Sequence, residues 1–136
     1  KAFYWFEKAA EQSDADSQFY LAESYLNGKG VEKDAERAMY WFEKAGEQNL
    51  IIAQKAIGFF SFYGDGLEKN FDKAFYWYSK SVEQGDAEAQ YSLSLCYDNG
   101  YGIAKDLEKM FYWLNKAAEN GNDLAKEQLK TYLVKE

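Results

Sequence analysis

The side chains able to carry covalent or acid–base chemistry are few in kind. Among 136 residues there is no histidine and one cysteine, Cys96, so neither a Ser-His-Asp arrangement nor a Cys-His pair can be assembled. Cys96 stands inside a helical pattern, where a lone cysteine usually serves as a small buried apolar group, and it is read as structural. A structural zinc site needs several Cys or His ligands, which the composition rules out. Calcium would need closely spaced oxygen ligands; only Asp65 and Asp98 are acids near the loop glycines and no Asp-x-Asp-x-Asp spacing occurs, so both are read as turn residues. The Gly-x-Gly steps at Gly28, Gly64 and Gly100 follow no strand and lack a third glycine or a Walker lysine, so they are helix-ending glycines and not a phosphate cradle. Hydrolysis by carboxylates alone, with acids such as Glu23 and Glu88, is the remaining catalytic class. Surface acids that recur periodically are ordinarily solvated, so no catalytic residue, cofactor site or metal site is expected.

The elements that position these side chains follow from composition. Proline is absent, so only glycine interrupts helices, which predicts an all-α protein. An apolar share of 47% with 19% aromatics predicts a folded chain. With 23 acidic against 16 basic residues the formal charge is −7, which repels a phosphate backbone and argues against nucleic acid as partner. No apolar run is long enough to span a bilayer and no signal-peptide pattern opens the chain. A single cysteine gives no disulfide framework, which favours a reducing, cytoplasmic compartment. The pattern is already under way at Lys1, so the chain is expected to be cut from something longer.

Self-similarity is the main feature. KAFYWFEKAAEQ at Lys1 returns as RAMYWFEKAGEQ at Arg37, KAFYWYSKSVEQ at Lys73 and KMFYWLNKAAEN at Lys109, each 36 residues after the last. Trp5, Trp41, Trp77 and Trp113 keep this period, as do Tyr4, Tyr40, Tyr76 and Tyr112 and Lys8, Lys44, Lys80 and Lys116. Ala2, Trp5, Phe6 and Ala9, and likewise Ala38, Trp41, Phe42 and Ala45, have the i, i+3, i+4, i+7 spacing of one helix face. Tyr, Trp and Phe of this stripe are assigned to the core. Gly28, Gly64 and Gly100 should end helices, and Asp34, Asn70 and Asp106 should cap the next, with Glu36, Asp72 and Glu108 in the first turn. Those helices close near Ser13, Asn49, Gly85 and Gly121, and a second helix starts at Asp14, Asp86 or Asn122, Leu50 being the exception. Leu21, Ala22 and Tyr25, like Ala89, Leu93, Ser94 and Tyr97, form its stripe. Neither helix can bury its face alone, so eight helices should stack on their neighbours.

These residues, above all the stretch from Asp86 through Asp106 to Asn120, resemble the Sel-one-like repeat, a relative of tetratricopeptide repeats, over essentially the whole chain. The resemblance implies a right-handed α/α superhelical solenoid of antiparallel helices, and members that act as adaptors or assembly platforms without catalysis. The chain then divides into an orphan second helix at 1–13, full repeats at 14–48, 49–84 and 85–120, and a last helix at 121–136. There Lys126, Glu127, Lys130, Lys135 and Glu136 make a polar surface suited to a cap. The second repeat departs from the pattern at Leu50, Ile51 and Ile52, and at Ser61 among Phe59, Phe60 and Phe62.

The tetratricopeptide analogy further implies that the second, fifth, ninth and twelfth residues of each first helix face a concave groove. Those are Asp16, Phe19, Glu23 and Leu26, then Ile52, Lys55, Phe59 and Phe62, then Glu88, Tyr91, Leu95 and Asp98. From them Phe19, Glu23, Lys55, Phe59, Phe62, Glu88, Tyr91 and Leu95 are the candidate partner-binding residues, an apolar stripe rimmed by charge. The expected function is a protein–protein interaction scaffold that takes a peptide or partner helix in the groove. A glycan or cell-wall binding module is the alternative, and a carboxylate hydrolase stands last. Trp5 and Phe6 have no preceding helix to cover them, so uncovered aromatics and weak self-association through the N-terminal helix are expected.

Overall fold

Most of the helices begin where a side chain takes up an orphan backbone N–H and end where the backbone turns left-handed. In the computed structural model, which describes residues 2–64 and 66–134 apart from the side chains of Ala2 and Val134, eight helices follow one another among the described residues. They are α1 Ala2–Glu11, α2 Ala15–Asn27, α3 Ala35–Glu47, α4 Ile51–Tyr63, α5 Phe71–Val82, α6 Ala87–Asn99, α7 Leu107–Glu119 and α8 Asp123–Val134. Asp14, Asp34, Asn70, Asp86, Asp106 and Asn122 each accept from the N–H three residues on, at 2.8–3.1 Å. Leu50 starts α4 with no side-chain cap. Gly28, Gly64 and Gly100 sit at φ near +70° and donate to the carbonyls of Ser24, Phe60 and Cys96, a conformation that costs glycine no Cβ clash. The other helix ends reach the same left-handed region at Gly85 and Gly121, but also at Ser13 and Asn49, with φ of 70° and 67°.

The described chain forms two compact units, one through Lys69 and one from Asn70. In the first, α2 packs on both α1 and α3, and α3 packs on α4. Phe3, early in α1, meets Tyr25 near the end of α2, while the Gln18 side chain early in α2 donates to the carbonyl of Ala10 at the end of α1. The pair is therefore antiparallel. Its core is Leu21, Ala22 and Tyr25 against Ala38, Met39, Phe42 and Ala45, with Ala53 and Ile57 from α4. In the second unit α6 packs on α5 and α7, and α7 on α8, around Ala74, Trp77, Tyr78, Leu93, Cys96, Tyr97, Met110, Leu114 and Ala117. Small residues at 0% exposure, such as Ala22 and Ser94, let neighbouring backbones approach closely.

The aromatic stripe does not all enter the core. Phe42, Tyr78 and Leu114, the residues after the last three tryptophans, are buried, as is Trp77, whereas Trp41 and Trp113 are half-buried and Trp5 is 68% exposed. Tyr4, Tyr40, Tyr76 and Tyr112 are 52–54% exposed, a correction to their assignment as core. Consecutive residues stand about 100° apart around a helix, so Tyr-Trp-Phe spans some 200° and cannot fit one buried stripe. Each exposed tyrosine instead leans edge-on against the next tryptophan and lies under the lysine four residues on, 5.5–5.7 Å from its ring. The expectation of uncovered aromatics at the N-terminal helix holds: Trp5 is exposed and Phe6 half-buried, stacked on Tyr20.

Candidate functional site

The helices on which partner-binding residues were expected begin where the sequence pattern placed them, at Ala15, Ile51 and Ala87. On α2, Asp16, Phe19, Glu23 and Leu26 recur at steps of three and four residues and so share one face. Phe19 and Glu23 are half-buried, and the Phe19 ring rests 5.5 Å from the ring of Phe42. Phe42 in turn lies 6.0 Å from Phe60, so one α3 ring supports both α2 and α4. Between those helices runs an apolar crevice, bounded by Leu26, Met39, Phe42, Phe60 and Leu67 and too narrow to admit water.

On α4, Phe59 is 47% exposed and belongs to a chain of ring contacts: Phe60 at 5.3 Å, Tyr63 at 4.7 Å, and Phe62 against Tyr63 at 4.9 Å. The expected residues Phe59 and Phe62 are thus brought together through Tyr63. That tyrosine, next to the helix-ending Gly64, closes α4 with its ring in solvent. A position-by-position comparison of repeats would have found it, because Tyr63 stands where Asn27 and Asn99 stand in the neighbouring repeats. Ile52 is also exposed, and Lys55 is half-buried.

In the second unit Glu88 is exposed, and Tyr91 and Leu95 are half-buried on α6. The Tyr91 hydroxyl donates to the Gln128 side chain at 3.2 Å, which gives Tyr91 a packing role between α6 and α8. Asp98 lies within α6 and not in a turn, and Asp65, its expected companion, falls outside the described residues. Cys96 is fully buried, and burial pushes its thiol up to about 12, so no thiolate forms at neutral pH. No group of three or more Cys, Asp or Glu side chains among the described residues is placed to hold a metal ion, and none of the described helices is long and apolar enough to cross a membrane. On α8, Lys126, Glu127 and Lys130 are exposed as the sequence suggested, while Lys135 and Glu136 lie outside the described residues.

Buried amides tie successive helices. Gln18 donates to Ala10 and accepts from the Gln48 side chain, Gln54 donates to the carbonyl of Gly46, and Gln90 accepts from Asn120. One glutamine per first helix thus satisfies a carbonyl or amide at the end of a neighbouring helix. In α8 the same position is Lys126, which cannot accept.

Comparison with known proteins agrees with this geometry. The Sel1 repeat matches the chain over residues 1–14, 15–50, 51–86 and 87–122. No curated protein matches the chain. Among solved structures the chain is similar to a Sel1 repeat protein from Oxalobacter formigenes, at 36% identity over 93% of this chain and 95% of that one, with a TM-score of 0.81. It is also similar to a protective antigen of uropathogenic Escherichia coli strains that displays an SLR fold, at 30% identity and a TM-score of 0.84 over 93% of this chain and 27% of that one. Cysteine rich protein B of Helicobacter pylori shares the fold at 22% identity, with a TM-score of 0.67 over 93% of this chain and 90% of that one.

Proposed function

Because the chain belongs to the Sel1 repeat family, whose members are generally protein-interaction scaffolds and typically not catalysts, we propose that it is a non-catalytic interaction module for a peptide segment or a partner helix. The binding surface is carried by the first helices of the repeats: Phe19, Glu23, Lys55, Phe59 and Phe62 in the first unit, Glu88, Tyr91 and Leu95 in the second.

The observation that carries this reading is α4. Ile52, Phe59 and Tyr63 hold apolar surface in water, at positions occupied in α2 by Asp16, Glu23 and Asn27, so the repeat itself packs without them. Apolar surface kept exposed where polar residues suffice is the mark of an interaction site, and aromatic anchors dominate such interfaces. A preformed helical surface also meets its ordering cost before the partner arrives.

The test is affinity capture with the tagged chain and with Phe59→Ala and Tyr91→Ala forms, each checked for unchanged circular dichroism and melting. A partner captured by the parent chain should be lost from the variants. A partner retained by both would place binding on another face.

A further inference from the structure

The chemistry of that partner can be narrowed from the first unit. Helix α2 carries Asp16 and Glu23 and has neither lysine nor arginine, and Asp14 caps it with a third carboxylate. Hydrogen bonding to Ser17 holds the Asp14 carboxyl below its ordinary value, so it stays charged. Asp16 and Glu23 alternate with Phe19 and Leu26 on one helix face, which therefore offers anionic and apolar groups one turn apart.

Helix α4, which shares the Phe42 ring and the crevice lining with α2, carries exposed Phe59 and Tyr63, paired at 4.7 Å. Between α2 and α4 lies the apolar crevice floored by Phe42, with Leu26 and Phe60 as its walls. Helix α2 thus offers acidic groups and α4 aromatic ones, with half-buried Lys55 on α4 as the one cation among the candidate residues of the first unit. The chain as a whole carries −7, which adds long-range attraction for a cation. Nothing along these helices supplies a free backbone edge, so an extended strand would gain no ladder of main-chain hydrogen bonds. A helix arrives with its own backbone already satisfied.

We propose that the partner segment is a cationic amphipathic helix, its apolar side chains resting on Phe59 and Tyr63 and its lysines or arginines facing Asp16 and Glu23. This rests on the reading of α2 and α4 as binding faces and adds to it the sign of the partner's charge and its conformation. A partner residue pairing with Glu23 beside an apolar contact is partly desolvated, so the charge contributes to selectivity as well as to the rate of encounter.

The experiment uses three fluorescein-labelled synthetic peptides, each about 18 residues or five helical turns long. One has leucines at i, i+3, i+4, i+7 spacing with lysines opposite, the second replaces its lysines by glutamates, and the third keeps the lysines and replaces the leucines by serines. Titrated by anisotropy against the full chain, the first should bind roughly tenfold or more tighter than either of the others, a difference of about 1.4 kcal/mol. Asp16→Asn with Glu23→Gln should weaken the first peptide several-fold and flatten its salt dependence, and Phe59→Ala should weaken it about tenfold. Glu83→Gln with Glu119→Gln, exposed acids of the second unit away from α2 and α4, should leave it unchanged.

Equal binding of the glutamate peptide, still lost on Phe59→Ala, overturns the cationic partner while leaving the binding faces in place. Equal binding of the serine peptide, or a first peptide indifferent to Phe59→Ala, reduces the effect to diffuse attraction and overturns the proposal. So does failure of all three to bind, whereas a captured partner indifferent to Phe59→Ala and Tyr91→Ala removes the underlying reading.

Discussion

Trp5 and Trp77 occupy the same place in the repeat, and replacing each by alanine should have very different consequences. Trp77 is 5% exposed and packs within the second unit, while Trp5 is 68% exposed. A buried aromatic side chain removes roughly 150–250 Å² from water. At about 25 cal/mol per Å² this is worth some 4–6 kcal/mol. Trp77→Ala should accordingly cost about 3–5 kcal/mol, the usual range once partial relaxation of the cavity is included. The covered third of Trp5 is worth at most about 1–2 kcal/mol by the same reckoning, and less if a single face of the ring is in contact. Urea unfolding followed by far-ultraviolet circular dichroism measures both, with the slope against denaturant checking that the transition stays cooperative. A second, earlier transition in Trp77→Ala alone would report unfolding of the second unit by itself. The reasoning fails if Trp77→Ala costs under about 1 kcal/mol, or if Trp5→Ala costs as much.

Two further outcomes follow from buried groups. Gln18→Leu should destabilise by about 1–3 kcal/mol, because the Ala10 carbonyl loses its side-chain donor and the Gln48 amide loses its acceptor, a loss read from the same urea titration. Cys96 should resist alkylation by iodoacetamide in the native state from neutral pH to well above pH 9, since burial closes it to the reagent and pushes its thiol up to about 12. Reaction should become fast once urea unfolds the chain and returns the thiol to its ordinary range near 8.5; rapid native labelling at pH 8 would mean that Cys96 is open to solvent.

How much of the proposed binding face was legible depends on which property is asked about. That Phe59 belongs to a departure from the repeat was visible, because Ile52 stands where Asp16 and Glu88 do and Ser61 replaces Tyr25 and Tyr97 among Phe59, Phe60 and Phe62. That Tyr63 completes the aromatic cluster was not, because an aromatic beside Gly64 reads equally well as the start of a loop. Periodicity set the Tyr4 series and the Trp5 series on adjoining positions of one helix without telling which of them meets a neighbour. Tyr91 was read as a binding residue, and only the position of Gln128 on another helix showed that its hydroxyl also ties α6 to α8.

The sequence by itself determined where the helices run and that they repeat, since capping carboxylates, left-handed glycines and a 36-residue spacing act through the local backbone and need no knowledge of distant residues. Burial was decided by tertiary structure. Whether a given tryptophan is covered depends on which helix arrives against it, and one repeat position therefore holds Trp77 in the core and Trp5 in water.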